Sequence, residues 1–420
     1  MLILVFSLQT MCNEDTIKVM NINKESLLKD ISAYSNYRGG TIAFSVEEDA
    51  TKKYLELLNF IDSNISPIPD YRITINDDNT IELIVNEGLY KPYLYKNKAY
   101  KRNDSSSVEV DRVEFNRLVL EGMNQTFEEQ ISSKQDLTFD VLEKTLIKEL
   151  KIEKLTVDIL KTLDLVNTKG QYNNAAALLA DTNQFSGIDI VKFGKTISEI
   201  RDRRTIENTS ILTQFNEAIN MYRQYYQYEK IDGTLREKVE LIPEKAFREA
   251  LANSIVHRLW DIGANTKISM YDDHIEISSP GTLLPSISVD EYLNGQVSIF
   301  RNPIIGNLFF RLNYIEKFGT GIRRINEAYV NDIVKPKFQV YENSISVTLP
   351  TFNLHSNISE DELKVIECLS RSSSFSRSQI DDILGFTKDK TVRILNSLVE
   401  RKIIDKVGKG RETRYKLHSE

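Results

Sequence analysis

Residues 243–260, with the sequence PEKAFREALANSIVHRLW, carry a pair of side chains whose types and spacing could do chemistry. The apolar spacing predicts an amphipathic helix, and Glu249 and Asn253, four positions apart, would then share one face. On such a face a carboxylate can orient or deprotonate a water, while an amide oxygen coordinates a hard cation such as Mg²⁺. The same pair is common on solvated helix faces, so the helix alone leaves a chemical site and a plain surface both open.

Two glycine-bearing segments follow this helix. TKISMY and HIEISS read as a hairpin joined at Asp272-Asp273, and its second strand runs into Ser279-Pro280-Gly281. Further on, Gly319-Thr320-Gly321 opens a predicted helix, IRRINEAY, where free backbone N–H groups and the positive end of the helix dipole favour an anion. Either glycine segment alone is typical of a turn or a cap. It is much less probable that the helix, the strand end and the glycine pair occur in this order by chance than that any one of them does.

The phrases REALANSIVHR, DDHIEISSPG, RNPIIGNLFF and YIEKFGTGIRRI carry a family resemblance. They resemble the Bergerat-fold (GHKL-like) ATP-binding domain of gyrases, chaperones, histidine kinases and mismatch-repair proteins. The similarity is to the divergent version found in bacterial proteins labelled RecG-related or predicted transcriptional regulators. The resemblance implies an α/β sandwich over residues 205–352, with ATP and Mg²⁺ as its cofactors.

Carried onto this sequence, the resemblance implies Glu249 as the catalytic, water-activating carboxylate and Asn253 as the Mg²⁺ ligand. Gly281 would let the adenine approach the backbone, and Gly319-Thr320-Gly321 would close as a lid on the phosphates. His257, eight residues after Glu249, would either line the phosphate end or pack as a structural histidine. The implied cofactor-binding residues are Asn253, His257, Ser279, Gly281, Gly319, Thr320 and Gly321.

Ser279 departs from the family pattern. The superfamily places Asp, and the divergent branch Asn, two residues before the strand-end glycine, to accept a hydrogen bond from the adenine amino group. A serine hydroxyl can accept that bond, but without a charge and with less reach, which forfeits roughly 1 kcal/mol. We therefore expect low nucleotide affinity and a loose base preference.

Residues 13–122 read as one α/β unit: a helix ending at Gly39-Gly40, a buried strand TIAFSV, and the strands YRITIN and TIELIVN. The unit, assigned to residues 1–124, resembles the Schlafen-type AlbA-like domain, a proposed DNA-binding family, at Ala33, Asn36, Gly39, Gly40, Pro92, Tyr93, Tyr100, Arg102 and Ser105. Of the family's acidic Glu-Phe-Lys stretch only Lys18 is matched, so nuclease chemistry is not carried over. Lys101 and Arg102 are then either phosphate contacts or the solvated tip of a hairpin.

From about residue 357 the chain changes character. Three short helices, SEDELKVIECLSR, SRSQIDDILG and TKDKTVRILNSLVERK, precede a basic hairpin, a layout typical of a winged helix, here over 357–420. Residues 386–417 hold ten basic and four acidic side chains, a local net charge of +6 in a chain of −7, and phosphate contact requires such a reversal. A protein-binding winged helix or a solvated hairpin is the alternative. The predicted DNA contacts are Lys388, Lys390, Arg393, Lys409, Arg411 and Arg414.

The composition, 420 residues with 41% hydrophobic and 27% charged side chains, predicts about two to four domains in a mixed α/β (α+β) chain. A helical connector, with the start of the middle region, would occupy 125–204. Two cysteines and four histidines show no metal-ligand spacing and fit a reducing cytoplasm. The apolar start MLILVFSL is too short to span a bilayer, so we expect a buried edge strand there, or a start at Met11. Gly194-Lys195-Thr196 lacks the partner glycine of a P-loop, because Asp189 stands at that position.

Three hypotheses remain. The first is a cytoplasmic, homodimeric transcriptional regulator that binds ATP and DNA, in which ATP closes a lid around 313–325 and, with slow hydrolysis, alters DNA binding. The second is a Mg²⁺-dependent ATPase that acts on nucleic acid in remodelling or defence. The third is a binding scaffold whose nucleotide function is lost, as Ser279 would signal. Titration with ATP and Mg²⁺ beside a turnover assay separates them, and no membrane partner is expected.

Overall fold

The computed structural model describes residues 16–19, 23–45, 50–76, 80–103, 106–232, 235–284, 287–295, 299–316, 319–330, 332, 334–352, 359–370, 374–400, 403–408, 410 and 413–417. Over these residues the chain is a mixed α/β, multidomain protein with a six-stranded mixed sheet, as the sequence predicts. The predicted edge strand at 1–8, Met11 and the turn at 77–79 fall outside the described ranges.

The N-terminal part of the chain contains a four-stranded sheet and one long buried helix. In chain order its elements are β1 (Thr16–Val19), α1 (Lys24–Asn36), β2 (Gly40–Ser45), α2 (Ala50–Asn64), β3 (Ile65–Ser66), β4 (Tyr71–Ile75), β5 (Thr80–Val85), β6 (Leu94–Tyr95), β7 (Tyr100–Asn103), β8 (Ser106–Glu109) and α3 (Arg112–Gly122). The sheet has the order β1-β2-β5-β4, with β1 and β2 parallel and the other neighbours antiparallel. Leu28 and Ile31 of α1 pack in one cluster with Ile42 and Phe44 of β2.

Several residues of the AlbA-like pattern hold this unit together. The Asn36 amide donates to the Tyr93 carbonyl oxygen at 2.9 Å, and the Asn36 side-chain oxygen accepts from the Tyr93 N–H at 2.7 Å. A Cβ on Gly40 would lie 2.3 Å from the Tyr34 ring, so a larger residue would displace that ring. Packing and backbone pairing thus account for these positions, and the AlbA-like assignment stays a prediction.

The connector and the central region share one hydrophobic core. After a 3₁₀ turn (Phe127–Glu129) the elements are α4 (Asp140–Leu150), α5 (Val157–Thr162), α6 (Asn174–Leu179), β9 (Ile188–Phe193), β10 (Ile200–Ile206), α7 (Ile211–Tyr226), β11 (Gln227–Asp232), β12 (Leu235–Glu240), α8 (Glu244–Val256), β13 (Thr266–Met270), β14 (His274–Pro280), α9 (Val289–Leu293), α10 (Pro303–Arg311), α11 (Gly321–Ala328), β15 (Lys337–Val340) and β16 (Ser344–Pro350). Leu142 of α4 and Leu160 of α5 lie in the same buried cluster as Phe215 of α7 and Ile268 of β13. The core therefore continues across the predicted limit at 204, and the domain limits stay predictions.

The central sheet has the order β10-β9-β13-β14-β16-β15. β9 and β13 run parallel, and the other neighbours are antiparallel. The predicted hairpin of TKISMY and HIEISS is confirmed as β13 and β14. α7 contacts β9, and α8 contacts β14 and β16; the rings of Tyr222 and Phe247, stacked 4.6 Å apart, join the two helices.

β11 and β12 form a separate two-stranded hairpin between α7 and α8. The apolar spacing of residues 211–228 predicts one helix ending in aromatic residues, but α7 ends at Tyr226. Pairing of the two strands places Glu229 opposite Lys238, and opposite charges across a strand pair favour a hairpin. The prediction was wrong at this end because a charged, alternating segment carries no clear helical period.

Gly194-Lys195-Thr196 lies in the turn that joins β9 to β10. The Gly194 N–H donates to the Glu199 carbonyl oxygen at 2.7 Å, and the Lys195 N–H donates to the Glu199 carboxylate at 3.1 Å. A P-loop joins a strand to a helix and leaves such N–H groups for phosphate. Because this turn joins two strands and uses its N–H groups internally, the rejection of a P-loop is confirmed.

The C-terminal part has its own core. Its elements are α12 (Glu360–Ser370), β17 (Phe375–Ser376), α13 (Arg377–Leu384), α14 (Lys388–Glu400), β18 (Ile404–Val407) and β19 (Arg414–Leu417). The strands form a sheet of order β17-β19-β18, and one buried residue from each helix, Val365, Ile380 and Leu395, packs with Tyr415 of β19. The three helices are present as predicted, and their assignment to a DNA-binding winged helix stays a prediction.

Candidate functional site

A cavity of about 120 Å³ lies beside α8, β14 and the start of α11. Ile277 of β14 and Ile345 and Val347 of β16 supply part of its apolar lining. The residues singled out from the sequence that line it are Glu249, Asn253, His257, Ser279, Gly281, Gly319 and Gly321. The structure thus brings the three predicted pieces, distant in sequence, to one cavity.

Glu249 and Asn253 stand together at a polar part of the cavity, on α8 as predicted. Glu249 is only 5% exposed, and burial raises the pKa of its carboxyl group, while the charge of Arg324 and a hydrogen bond with Asn253 oppose that rise. A carboxylate can only accept hydrogen bonds, so Asn253 must offer its NH₂ group to Glu249. Its amide oxygen then remains available for a cation.

The start of α11 lies against this pair. A Cβ on Gly321 would lie 2.6 Å from Asn253 Nδ2 and 2.9 Å from Glu249 Oε1, so a larger residue would displace these side-chain ends or the start of the helix. Thr320, the residue before the helix, makes no side-chain capping bond. The first N–H groups of a helix lack helical partners and carry its positive dipole end. The Glu249–Asn253 pair therefore lies beside a helix N-terminus, a feature that favours negative charge.

Gly319 is tied to a second segment of the cavity wall. Its φ of +63° is in the left-handed region that favours glycine. A Cβ on Gly295, which follows α9, would lie 2.7 Å from the Gly319 carbonyl oxygen. The Arg323 guanidinium also donates to the Asn294 carbonyl oxygen at 3.1 and 3.2 Å. Sequence reasoning missed Gly295 and Arg323, because their contacts join segments about 25 residues apart.

Ser279 marks another part of the cavity, at the end of β14. Its side chain is 9% exposed, and its hydroxyl donates to the Ser254 carbonyl oxygen at 2.8 Å. Because that bond uses the hydroxyl proton, the Ser279 oxygen can act toward a ligand only as a hydrogen-bond acceptor. Gly281 has φ +111°, and a Cβ there would lie 2.8 Å from Arg301 Nη1 and 3.0 Å from Leu259.

Arg301 lines the cavity beside Gly281, and sequence reasoning did not assign it a role. Its guanidinium donates to the carbonyl oxygens of His257 at 3.1 Å and Thr282 at 2.8 Å. Burial lowers the pKa of Arg301 to about 10, so the group stays charged at neutral pH. The matched phrase RNPIIG contained this residue, but only the fold places its charge on the cavity wall.

Two side chains hold the segment that carries Arg301. The Asn302 amide donates to the carbonyl oxygens of Val256 at 2.8 Å and Arg258 at 2.9 Å, which satisfies acceptors at the end of α8. From the connector, the fully buried carboxyl group of Glu128 accepts from the N–H groups at the start of α10, Ile304 and Ile305. The cavity wall is thus anchored both to α8 and to the connector.

The sequence predicted that the helix continues through His257 and Arg258. This prediction was wrong, because α8 ends at Val256. His257 caps that end and lines the cavity, and burial, with the charge of Arg301, lowers the pKa of His257 to about 4. Its imidazole is therefore neutral at pH 7. Arg258 is buried elsewhere: it donates to the carbonyl oxygens of Gly187 and Ala264 and lies over the Trp260 ring.

The predicted N-terminal phosphate contacts are engaged with carboxylates. Lys101 lies 2.8 Å from Glu114, and Arg102 lies 2.7 Å from Asp30. Ser107 also donates to Asp30, at 2.6 Å. A phosphate would have to compete with these carboxylates for both cations. This surface would therefore bind phosphate more weakly than a basic hairpin whose cations had no acidic partner.

The predicted C-terminal contacts divide into three groups. Lys388, Arg393 and Arg414 are exposed. Lys390 pairs with Asp361 at 2.8 Å and lies over the Phe386 ring. Lys409 and Arg411 are outside the described residues. DNA contact by this surface stays a prediction.

Over the described ranges, no group of three or more His, Cys, Asp or Glu side chains could hold a metal ion. Mg²⁺ usually binds through one or two protein oxygens and completes its shell with water and phosphate oxygens. The free amide oxygen of Asn253 fits that pattern. Mg²⁺ at this cavity would then depend on a bound nucleotide.

Residues 263–349 match the family described as "Putative ATP-dependent DNA helicase recG C-terminal". The match spans β13 to β16 and includes Ser279, Gly281 and the Gly319–Gly321 segment, but it begins after α8. The protein DIP2311 from Corynebacterium diphtheriae, a solved structure, is 17% identical over 96% of this chain and 91% of its own, with a TM-score of 0.48; neither fold nor function follows from that level of similarity. No curated protein matches the chain.

In the described residues no helix is both long and apolar enough to cross a membrane. The family match covers part of the cavity lining, including Ser279, Gly281, Gly319 and Gly321, while Glu249 and Asn253 lie before it. Residues 263–349 are thus similar to an ATPase-like, RecG-related domain.

Proposed function

We propose that this chain is a transcriptional regulator that binds ATP with Mg²⁺ beside α8, and that nucleotide binding and slow hydrolysis modulate DNA binding by its C-terminal domain. The observation that carries the nucleotide site is the contact of Gly321 with Glu249 and Asn253. It unites a carboxylate, a free amide oxygen and a helix N-terminus at one cavity. A cytoplasmic location and a homodimer belong to the same proposal.

Ser279 and Gly281 supply the base-binding part of the site. The Ser279 oxygen accepts from the adenine amino group, and Gly281 leaves the backbone open to the ring. A neutral hydroxyl gives less affinity than a carboxylate, by roughly 1 kcal/mol. Affinity for ATP is therefore modest, and other purine nucleotides bind as well.

Asn253, Gly321 and Glu249 supply the phosphate-binding part. The Asn253 oxygen holds the Mg²⁺ that the nucleotide brings, and the first N–H groups of α11 receive the phosphates. Glu249 orients a water for attack. Burial raises the pKa of Glu249, which makes its carboxylate a better general base.

The C-terminal domain supplies the DNA contacts. Lys388 and Arg393 of α14 and Arg414 of β19 are exposed cations in a segment of local charge +6. Neutralising about three phosphates gives a log–log salt dependence of slope near −3. Binding that does not change with salt would contradict DNA contact by this surface.

A titration series tests the proposal. Mg²⁺ and ATP are titrated into the full chain by calorimetry, phosphate release is followed, and affinity for duplex DNA is measured with and without ATP. We expect saturable ATP binding, slow turnover and an ATP-dependent change in DNA affinity. Rapid, DNA-stimulated turnover would favour an ATPase acting on nucleic acid. Absence of heat with every nucleotide would favour a scaffold and contradict the proposal.

A further inference from the structure

Arg324 of α11 is a cation that pairs with Glu316, a residue of the cavity lining. It stands three residues after Gly321, so both lie near the same face of α11. Its Nη2 lies 2.8 Å from Oε1 of Glu316, and both side chains are about one-third exposed. Glu316 itself lines the cavity.

The charges of Arg324 and Glu316 both act on Glu249. Arg324 lowers the pKa of that carboxyl group, and Glu316 raises it. Glu249 and Glu316 both line the cavity, and Arg324 is held beside it by its ion pair with Glu316. Lys245 also acts on Glu249 from α8, but more weakly than Arg324.

A partly exposed ion pair of this kind contributes little stability, because water screens it. A phosphate group offers a guanidinium more oxygens and more charge than a carboxylate does. If Arg324 left Glu316 to bind a phosphate, little stability would be lost and the new contact would be stronger. Glu316, by contrast, would repel a phosphate that approached while it faced the cavity.

We propose that Arg324 recognises the terminal phosphate of the bound nucleotide, and that Glu316 holds its guanidinium until the nucleotide arrives. This inference rests on the proposed nucleotide site and names the residue that distinguishes a triphosphate from a diphosphate. Arg324 binds the phosphate through its N–H donors. Glu316 turns toward solvent when the ion pair opens.

Calorimetric titration of ATP and ADP, each with Mg²⁺, tests the inference on the full chain. Arg324→Gln removes the charge and keeps a polar side chain, and Arg324→Lys keeps the charge without the paired donors. We expect Arg324→Gln to weaken ATP binding about 10- to 100-fold and ADP binding by less than about threefold. Arg324→Lys should restore part of the loss. Glu316→Gln should strengthen ATP binding a few-fold, because the competing charge is gone.

Arg311→Gln serves as the matched control. Arg311 is exposed at the end of α10, and its substitution removes the same charge as Arg324→Gln. Equal losses of ATP and ADP affinity in Arg324→Gln would show a structural role and overturn the inference, as would an unchanged ATP affinity. Thermal unfolding of each variant reports whether it is folded. If the wild-type chain binds neither nucleotide, the proposed function itself fails, which is a different outcome.

Discussion

Gly321→Ala should damage nucleotide binding much more than it damages the fold. The new Cβ would lie 2.6 Å from Asn253 Nδ2 and 2.9 Å from Glu249 Oε1. Carbon and nitrogen atoms in contact prefer about 3.5 Å, so either the ends of the Asn253 and Glu249 side chains shift or the start of α11 moves away from them. Such overpacking costs about 1–3 kcal/mol. An alanine in place of glycine at the helix start returns part of that cost, up to about 1 kcal/mol.

The net loss of unfolding free energy is therefore small, about 1–2 kcal/mol. Nucleotide affinity should be more sensitive than stability, because Asn253 and the N–H groups of α11 must reach the same phosphates. Their separation weakens binding of Mg²⁺ and ATP by about 10- to 100-fold, the equivalent of losing one or two charge-assisted contacts.

The assay is calorimetric titration of ATP with Mg²⁺, beside urea unfolding of the same samples. Gly263→Ala is the matched control, because a Cβ at Gly263 would meet no atom within 4 Å. We expect that control to bind as the wild type does. Wild-type affinity in Gly321→Ala would refute the reasoning that this glycine sets the approach of α11 to α8.

Three further predictions concern single residues. Glu249→Gln should keep ATP binding within about threefold but abolish phosphate release, since an amide cannot accept the proton of the attacking water; retained turnover would remove Glu249 from its proposed role. Burial raises the pKa of Glu128 to about 8, above its usual value in an unfolded chain, so the folded state holds this proton more tightly. Wild-type stability should then fall between about pH 5 and about pH 8 relative to Glu128→Gln, by up to about 1.4 kcal/mol per pH unit; parallel urea curves for both proteins across that range would contradict this. Arg117 bonds Asp261 through two nitrogens, at 2.6 and 3.0 Å, and Arg117→Ala should lower the free energy of unfolding by about 1 kcal/mol or less; a larger loss would show that this partly exposed pair is more than a surface contact.

The sequence predicts α8, β13 and β14 well because each carries its own local signal. α8 has apolar residues at helical spacing, and the two strands have regular alternation bounded by turn residues. Local patterns did not predict β11 and β12, because their charged residues stabilise strands only when the two strands pair. The spacing of apolar residues predicted a helix or strand only where one face of that element is buried.

The candidate site was predictable in its parts and less so in its arrangement. Glu249, Asn253 and Gly321 could be named from sequence, but only the fold shows that Gly321 is required by the other two. Arg301 and Glu316 lie in phrases that carry the family resemblance, but the sequence assigned them no role, because tertiary contacts set the direction of a single charged side chain in a loop. The opposite error arises for cations such as Arg102, whose partner Asp30 is remote in sequence.

A crystal structure of the chain with Mg²⁺ and a non-hydrolysable ATP analogue tests the central claim most directly. The account predicts the base against Ser279 and Gly281, the metal on the Asn253 amide oxygen, and the phosphates at the start of α11. A nucleotide bound elsewhere on the chain, or an empty cavity at saturating concentration of the analogue, would contradict it.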